Sequence, residues 1–143
     1  MTEAYRLHAT CVAVEGVGVL LRGPSGSGKS DLALRLIDGG AELVGDDQVL
    51  VKAKDGHLIA SAHPNLSGLL EVRGLGILSI PHRPSVAVQL IIALGGQAPE
   101  RLPEPQHEEI QGISLPLLSL NAFEASTSAK VRLAAGRLAG DSR

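Results

Sequence analysis

A chain of 143 residues with 44% apolar and 20% charged side chains reads as one globular domain, residues 1–143, rather than a disordered segment. No apolar run reaches the roughly 18 residues that a membrane-spanning helix needs, so no membrane partner is expected. A net charge of −2, no basic stripe, no Trp and only one Tyr and one Phe leave nucleic-acid binding without support.

The opening MTEAYR has no basic segment leading into an apolar one, so no secretory leader is expected. Cys11 has no partner for an internal disulfide, which suits a cytoplasmic protein, and its setting reads as a buried thiol in a strand. Leu7 to Val14, LHATCVAV, alternates like a strand, and Glu15-Gly16 turns the chain into a second strand, Val17 to Leu21. After a glycine-rich loop, Lys29 to Asp38 reads as a helix stopped by Gly39-Gly40. Leu43-Val44-Gly45 then leads into Asp46-Asp47, and Lys54-Asp55-Gly56-His57 forms a hairpin turn between Val49-Leu50-Val51 and Leu58-Ile59-Ala60. LLEVRGLGILSI, residues 69 to 80, predicts a strand or short helix entering a shaped loop. Val86 to Leu94 is the clearest core strand of the second half. Residues 95 to 112, with Pro99, Pro103 and Pro105, read as an exposed loop. Ile113 to Leu120 reads as a strand held toward a sheet edge by Pro116. A last helix, capped by Thr127 or Ser128 and ending near Leu138, would bury Val131, Ala134, Ala135 and Leu138. The fold class is therefore α/β, with no internal repeat.

The glycine-rich loop is Gly23-Pro24-Ser25-Gly26-Ser27-Gly28-Lys29-Ser30, GPSGSGKS. Gly26 and Gly28 let the backbone curl so that successive N–H groups face phosphate oxygens, and the following helix adds its positive end. In that pattern Lys29 neutralises the β and γ phosphates and the Ser30 hydroxyl ligates Mg²⁺. If the strand ending at Asp46 runs parallel to Val17–Leu21, both strands end on one edge and the Asp pair emerges beside the phosphates. Neighbouring strand residues face opposite sides, so one Asp faces the γ phosphate and its metal while the other braces the loop. A carboxylate there can ligate the metal or take the proton of an attacking hydroxyl. Phosphoryl transfer also asks for a further cation, and Arg73 and Arg83 are the candidates. With so few rings, an adenine is expected to rest on aliphatic surface or on a neighbouring subunit.

HATCVAV, GPSGSGKSDLALRLI, LVGDDQV and LLEVRGLGILSI, taken in order, resemble the catalytic domain of the HPr kinase/phosphorylase family. The resemblance covers roughly Leu7 to Leu94 and implies a P-loop kinase domain of the HPr kinase/phosphoenolpyruvate carboxykinase-like type, with a mixed sheet and a P-loop helix. It also implies ATP and Mg²⁺ as cofactors, HPr or a related phosphocarrier of the phosphotransferase system as protein partner, and a homo-oligomer, a hexamer in the family. By position, His8 matches an active-site histidine, Asp47 the proton acceptor, Glu71 a magnesium-associated carboxylate and Arg83 a catalytic arginine. Ser30, Glu71 and Asp46 make up the implied metal set, and Leu70 to Ser79 matches the stretch linked to both reaction directions.

The chain departs from the family in three ways. The sequence begins at the catalytic part, so the resemblance implies the short form known from some alphaproteobacteria, and no N-terminal domain like that of the long members is expected. Leu115 to Phe123, LPLLSLNAF, has no counterpart of the basic Gly-Arg-Asn-type motif implicated in dephosphorylation, which leaves phosphorolysis open. Relative to the family, a shortened C-terminal helix ending near Gly140 is expected. The expected function is an ATP-dependent protein serine kinase. The alternatives are a P-loop kinase of a small hydroxylated metabolite, with residues 95–112 as its lid, and a non-catalytic ATP-binding regulator.

Overall fold

The computed structural model describes residues 3–96 and 98–141; the first two residues, where the leader reading begins, and Gln97 of the 95–112 stretch lie outside the described residues. The expected first strand is two strands, β1 (Tyr5–Leu7) and β2 (Thr10–Val14). β2 turns through Glu15-Gly16, both at positive φ, into β3 (Val17–Arg22), pairing Val14 with Val17. The loop and α1 (Lys29–Asp38) follow, then β4 (Glu42–Gly45), β5 (Val49–Lys54) and β6 (His57–Ala62). Asp55 and Gly56, at φ of 52° and 81°, make the expected tight turn between β5 and β6.

β1 pairs antiparallel with β5 and β2 pairs antiparallel with β4. The two pairs are consecutive stretches of one ladder that breaks on both sides at once, at His8-Ala9 and at Asp46-Asp47-Gln48. A single backbone bond, from Ala9 N–H to the Asp47 carbonyl at 3.1 Å, crosses the break. This shared kink is why the first strand is divided, and it sets His8 opposite Asp47.

β9 (Ser85–Ala93) is the trunk of the sheet, whose order is β1-β5-β6-β9-β3-β2-β4. Because β1 continues into β2 and β4 leads into β5, this order curls the sheet back on itself. β3 runs parallel along one edge of β9, while the other edge takes β6 antiparallel at residues 85–88 and β11 (Ile113–Ser119) parallel at residues 91–93. β4 runs parallel to β3 as expected, with β2 between them: two antiparallel steps give the common direction. Asp46 and the glycine-rich loop therefore still leave the sheet at the same end.

Alternation along the strands separates two cores. Cys11, Ala13 and Leu20 face the inside of the curl with Val44, Val51 and Leu58. Val12, Val14, Val19 and Leu21 face outward onto Leu32 and Leu36 of α1 and Val131 and Ala135 of α2 (Thr127–Asp141). α2 runs past Leu138, where the sequence pattern ended it, although Val131 and Ala135 are buried as expected.

Two further segments differ from expectation. Residues 106–110, read as loop, form β10 (Gln106–Ile110), an antiparallel partner of β11, so β11 is not the edge. Four of the five β10 side chains remain at least partly exposed, and QHEEI carries no apolar alternation by which a strand could be read. The stretch 69–80 is a separate hairpin of β7 (Leu69–Val72) and β8 (Gly76–Ser79). Leu70 and Val72 of β7 point into the outer core, leaving Glu71 between them exposed.

The approach of β3 to β9 depends on Gly18, where the register shifts: a Cβ there would lie 2.5 Å from the Ala87 carbonyl oxygen. Gly18→Ala is expected to lower stability by about 1–3 kcal/mol, the usual cost of overpacking, read as a lower urea midpoint. An unchanged midpoint would mean that the two strands do not meet in this register. Cys11 is fully buried, and desolvation pushes its thiol up to about 12, outweighing the backbone hydrogen bond at Val19 that acts in the opposite sense. A thiol reagent at pH 8 should label Cys11 only as fast as the chain unfolds. Rapid labelling of the native protein would contradict this burial.

Candidate active site

The loop between β3 and α1 is shaped by glycines at positive φ, Gly26 at 83° and Gly28 at 95°, the latter serving as N-cap of α1. Gly23 answers a different need, since a Cβ there would lie 2.5 Å from the Leu94 carbonyl oxygen beyond the end of β9. The Lys29 ammonium, on a largely buried side chain, donates to the carbonyls of Gly23 at 2.7 Å and Pro24 at 3.1 Å. It lies over the mouth of a loop whose amides and helix terminus form an anion cradle. Among the described residues, the buried Ser27 hydroxyl has no hydrogen-bond partner.

Asp46 is only 6% exposed and accepts three hydrogen bonds. Thr10 Oγ1 at 2.8 Å and Ser30 Oγ at 2.7 Å donate to Oδ1, and the Glu71 N–H at 3.1 Å donates to Oδ2. One carboxylate thus ties β2, α1 and β7 together. Asp47 stands in the opposite setting. Its φ of 67° is left-handed, a conformation that Asp tolerates better than most residues, and its side chain is 63% exposed. Its Oδ1 lies 2.9 Å from Nε2 of His8, which is itself 54% exposed. The two neighbouring carboxylates do part to different environments, but a backbone turn beyond the end of β4 separates them rather than the alternation of a strand.

These groups open on one cavity of about 480 Å³. His8, Lys29, Ser30, Asp47 and Glu71 line it together with Ser25, Gly26 and Gly28 of the loop, while Asp46 sits behind Ser30. Gly23, Pro24 and Ser27 belong to the loop but do not line this cavity. Of the two candidate arginines, Arg73 lines it. Arg83 is held elsewhere: its guanidinium lies 3.6 Å from Glu42 at the start of β4 and donates to the Ser85 carbonyl at 3.1 Å. Ser30, Asp46 and Glu71 offer only oxygen donors, which suits a hard divalent cation such as Mg²⁺. Among the described residues no group of three or more His, Cys, Asp or Glu side chains gathers as a ready-made metal site.

Two residues entered the site unannounced by the sequence pattern. Thr10 is a fully buried hydroxyl in an otherwise apolar strand, and that polar interruption was the available signal. Phe123 follows β11 in sequence yet lines the cavity beside Gly28, a ring that the expectation of aliphatic surface or a neighbouring subunit did not include. No sequence signal connects it to the loop, because the contact is entirely tertiary.

Comparison with known proteins gives a consistent family. The family model described as HPr Serine kinase C-terminal domain matches residues 1–131. The HPr kinase/phosphorylase of Clostridium tetani (strain Massachusetts / E88) is 53% identical over 76 residues, 53% of this chain and 25% of that protein. The HPr kinase/phosphorylase of Clostridium perfringens (strain SM101 / Type A) is 48% identical over 80 residues, 56% of this chain and 26% of that protein. The match thus spans about a quarter of the length of these curated relatives. Among solved structures, that of the Hpr(Ser) kinase/phosphatase from Coxiella burnetii matches with a TM-score of 0.80 at 27% identity, covering 96% of this chain and 99% of that one. Cradle, carboxylate pair and curled mixed sheet accord with these matches, and the chain belongs to the HPr serine kinase C-terminal domain family.

Proposed function

We propose that this chain is an ATP-dependent protein serine kinase whose substrate is HPr or a related phosphocarrier. The observation that carries this reading is the shared cavity: the Asp47 carboxylate, hydrogen-bonded to His8, faces the same space as Lys29 and Ser30. A serine hydroxyl entering there gives its proton to Asp47 as its oxygen bonds to the γ phosphorus, and the bond to the β-phosphate oxygen breaks to release ADP. Lys29 and the loop amides hold the phosphates, and Arg73 supplies the additional cation. Arg83, paired with Glu42, stays outside the chemical step. Ser30 and Asp46, with Glu71, would hold Mg²⁺, which when bound neutralises charge on the transferring phosphates. His8 orients the Asp47 carboxylate. Phosphorolysis, which the sequence leaves open, would use the same groups: inorganic phosphate attacks the phosphoserine phosphorus, the bond to the serine oxygen breaks as Asp47 protonates that oxygen, and pyrophosphate leaves.

The reading includes a cytoplasmic homo-oligomer; the exposed Leu75, Ile77 and Leu133 support the assembly. Sedimentation of the purified chain tests the assembly.

Purified chain, HPr and labelled ATP test the chemistry. Lys29→Ala should lose ATP binding. Asp47→Asn should keep ATP binding and, because Asn also tolerates left-handed φ, retain stability to within about 0.5 kcal/mol, while transfer falls by at least about 10²-fold. Normal transfer by Asp47→Asn would remove the base assignment, and transfer to a small hydroxylated metabolite but not to HPr would overturn the substrate. Arg73→Ala should reduce kcat about 10²-fold, with Arg83→Ala close to wild type; the reverse order would return the cationic role to Arg83.

A further inference from the structure

Phe123 is 68% exposed, and its apolar ring stands in solvent on a segment that is tightly held. The Phe123 N–H donates to Asn121 Oδ1 at 2.9 Å, and Thr127 Oγ1 donates to the Asn121 carbonyl. Arg35 of α1 donates to the carbonyls of Ala122 and Glu124 on either side of the ring residue. Ala122 itself is buried against the loop: a Cβ on Gly28 would lie 2.6 Å from the Ala122 methyl and 3.1 Å from Phe123 Cζ. The backbone that carries the ring is therefore held beside the anion cradle, and the ring is not covered. It lines both the catalytic cavity and the neighbouring cavity of about 430 Å³ on the other side of the loop.

We propose that Phe123 is the stacking surface for the base of the bound nucleotide. The inference rests on the reading that the loop holds a nucleoside triphosphate, and it names the surface that holds the remainder of that molecule. A phenyl face carries partial negative charge and gives a phosphate no attraction, whereas the flat apolar face of a base matches it. Apart from Phe123, the chain has one other aromatic residue, Tyr5, which lies on β1 and lines no part of this cavity. Placing the ring on a braced segment, instead of a free loop, means that little ordering remains to be done when the base arrives.

Two probes separate base from phosphate. Binding of Mg-ATP and of inorganic tripolyphosphate is measured by calorimetry on the full chain, as wild type, Phe123→Ala and Phe123→Tyr. Truncation to Ala should weaken ATP about 10- to 100-fold and leave tripolyphosphate unchanged, and Tyr should restore ATP binding. Equal loss of both ligands would show that the ring merely braces the loop and would overturn the proposal. Unchanged ATP affinity in Phe123→Ala would overturn it as well, leaving the kinase reading intact. A wild-type chain that binds neither probe would overturn both readings.

Discussion

The buried carboxylate of Asp46 is the point on which the site depends. An ionised group that is withdrawn from water must find its hydrogen bonds inside the protein. Asp46 finds them on three elements: the hydroxyl of Thr10 on β2, that of Ser30 at the start of α1, and the backbone of Glu71 on β7. The strand that passes between α1 and the curl, the helix that carries the cradle, and the hairpin that closes one side of the cavity are thereby held in one arrangement. All three contacts meet on a single carboxylate.

From that anchor the geometry of the neighbouring residue follows. The chain leaves Asp46 through a left-handed turn at Asp47, and the facing chain breaks at His8-Ala9, so a paired kink replaces what would otherwise be continuous ladder. A regular ladder would have sent one of the two carboxylates into a face of the sheet. The kink instead turns Asp47 outward with His8 beside it. Strain at one backbone position is thus associated with an exposed acid held beside His8 and next to the glycine-rich loop, a common place for such strain.

A second set of contacts seats the far side of the cavity. Arg35 reaches from α1 to the carbonyls around Phe123, and Arg132 of α2 donates to the Arg35 carbonyl at 2.9 Å near the C-terminal end of α1. The helix carrying Lys29 and Ser30 is therefore fixed at its beginning by Asp46 and toward its end by the segment that follows β11. The helix that carries Lys29 and Ser30 thus also links the two walls of the cavity.

What the sequence alone determined lies in short-range patterns. Glycines at left-handed positions, the β5–β6 turn, the ten residues of α1 and the apolar run of β9 all follow from neighbours a few positions apart, and each reads directly from the residues. The loop and the Asp pair were legible for the same reason. The division of the first strand, the β10 edge, the place of β2 between β3 and β4, and the pairing of Arg83 with Glu42 were not. Each depends on a partner strand or charge that local periodicity does not encode. The site shows the same boundary: Thr10 lies 36 positions from Asp46 and Glu71 lies 25, and Phe123 meets Gly28 only through the packing of the segment after β11 on α1. The sequence named most of the polar side chains that line the cavity. Tertiary structure decided which of them face one another, because a buried charge and a curled sheet take their partners from across the chain.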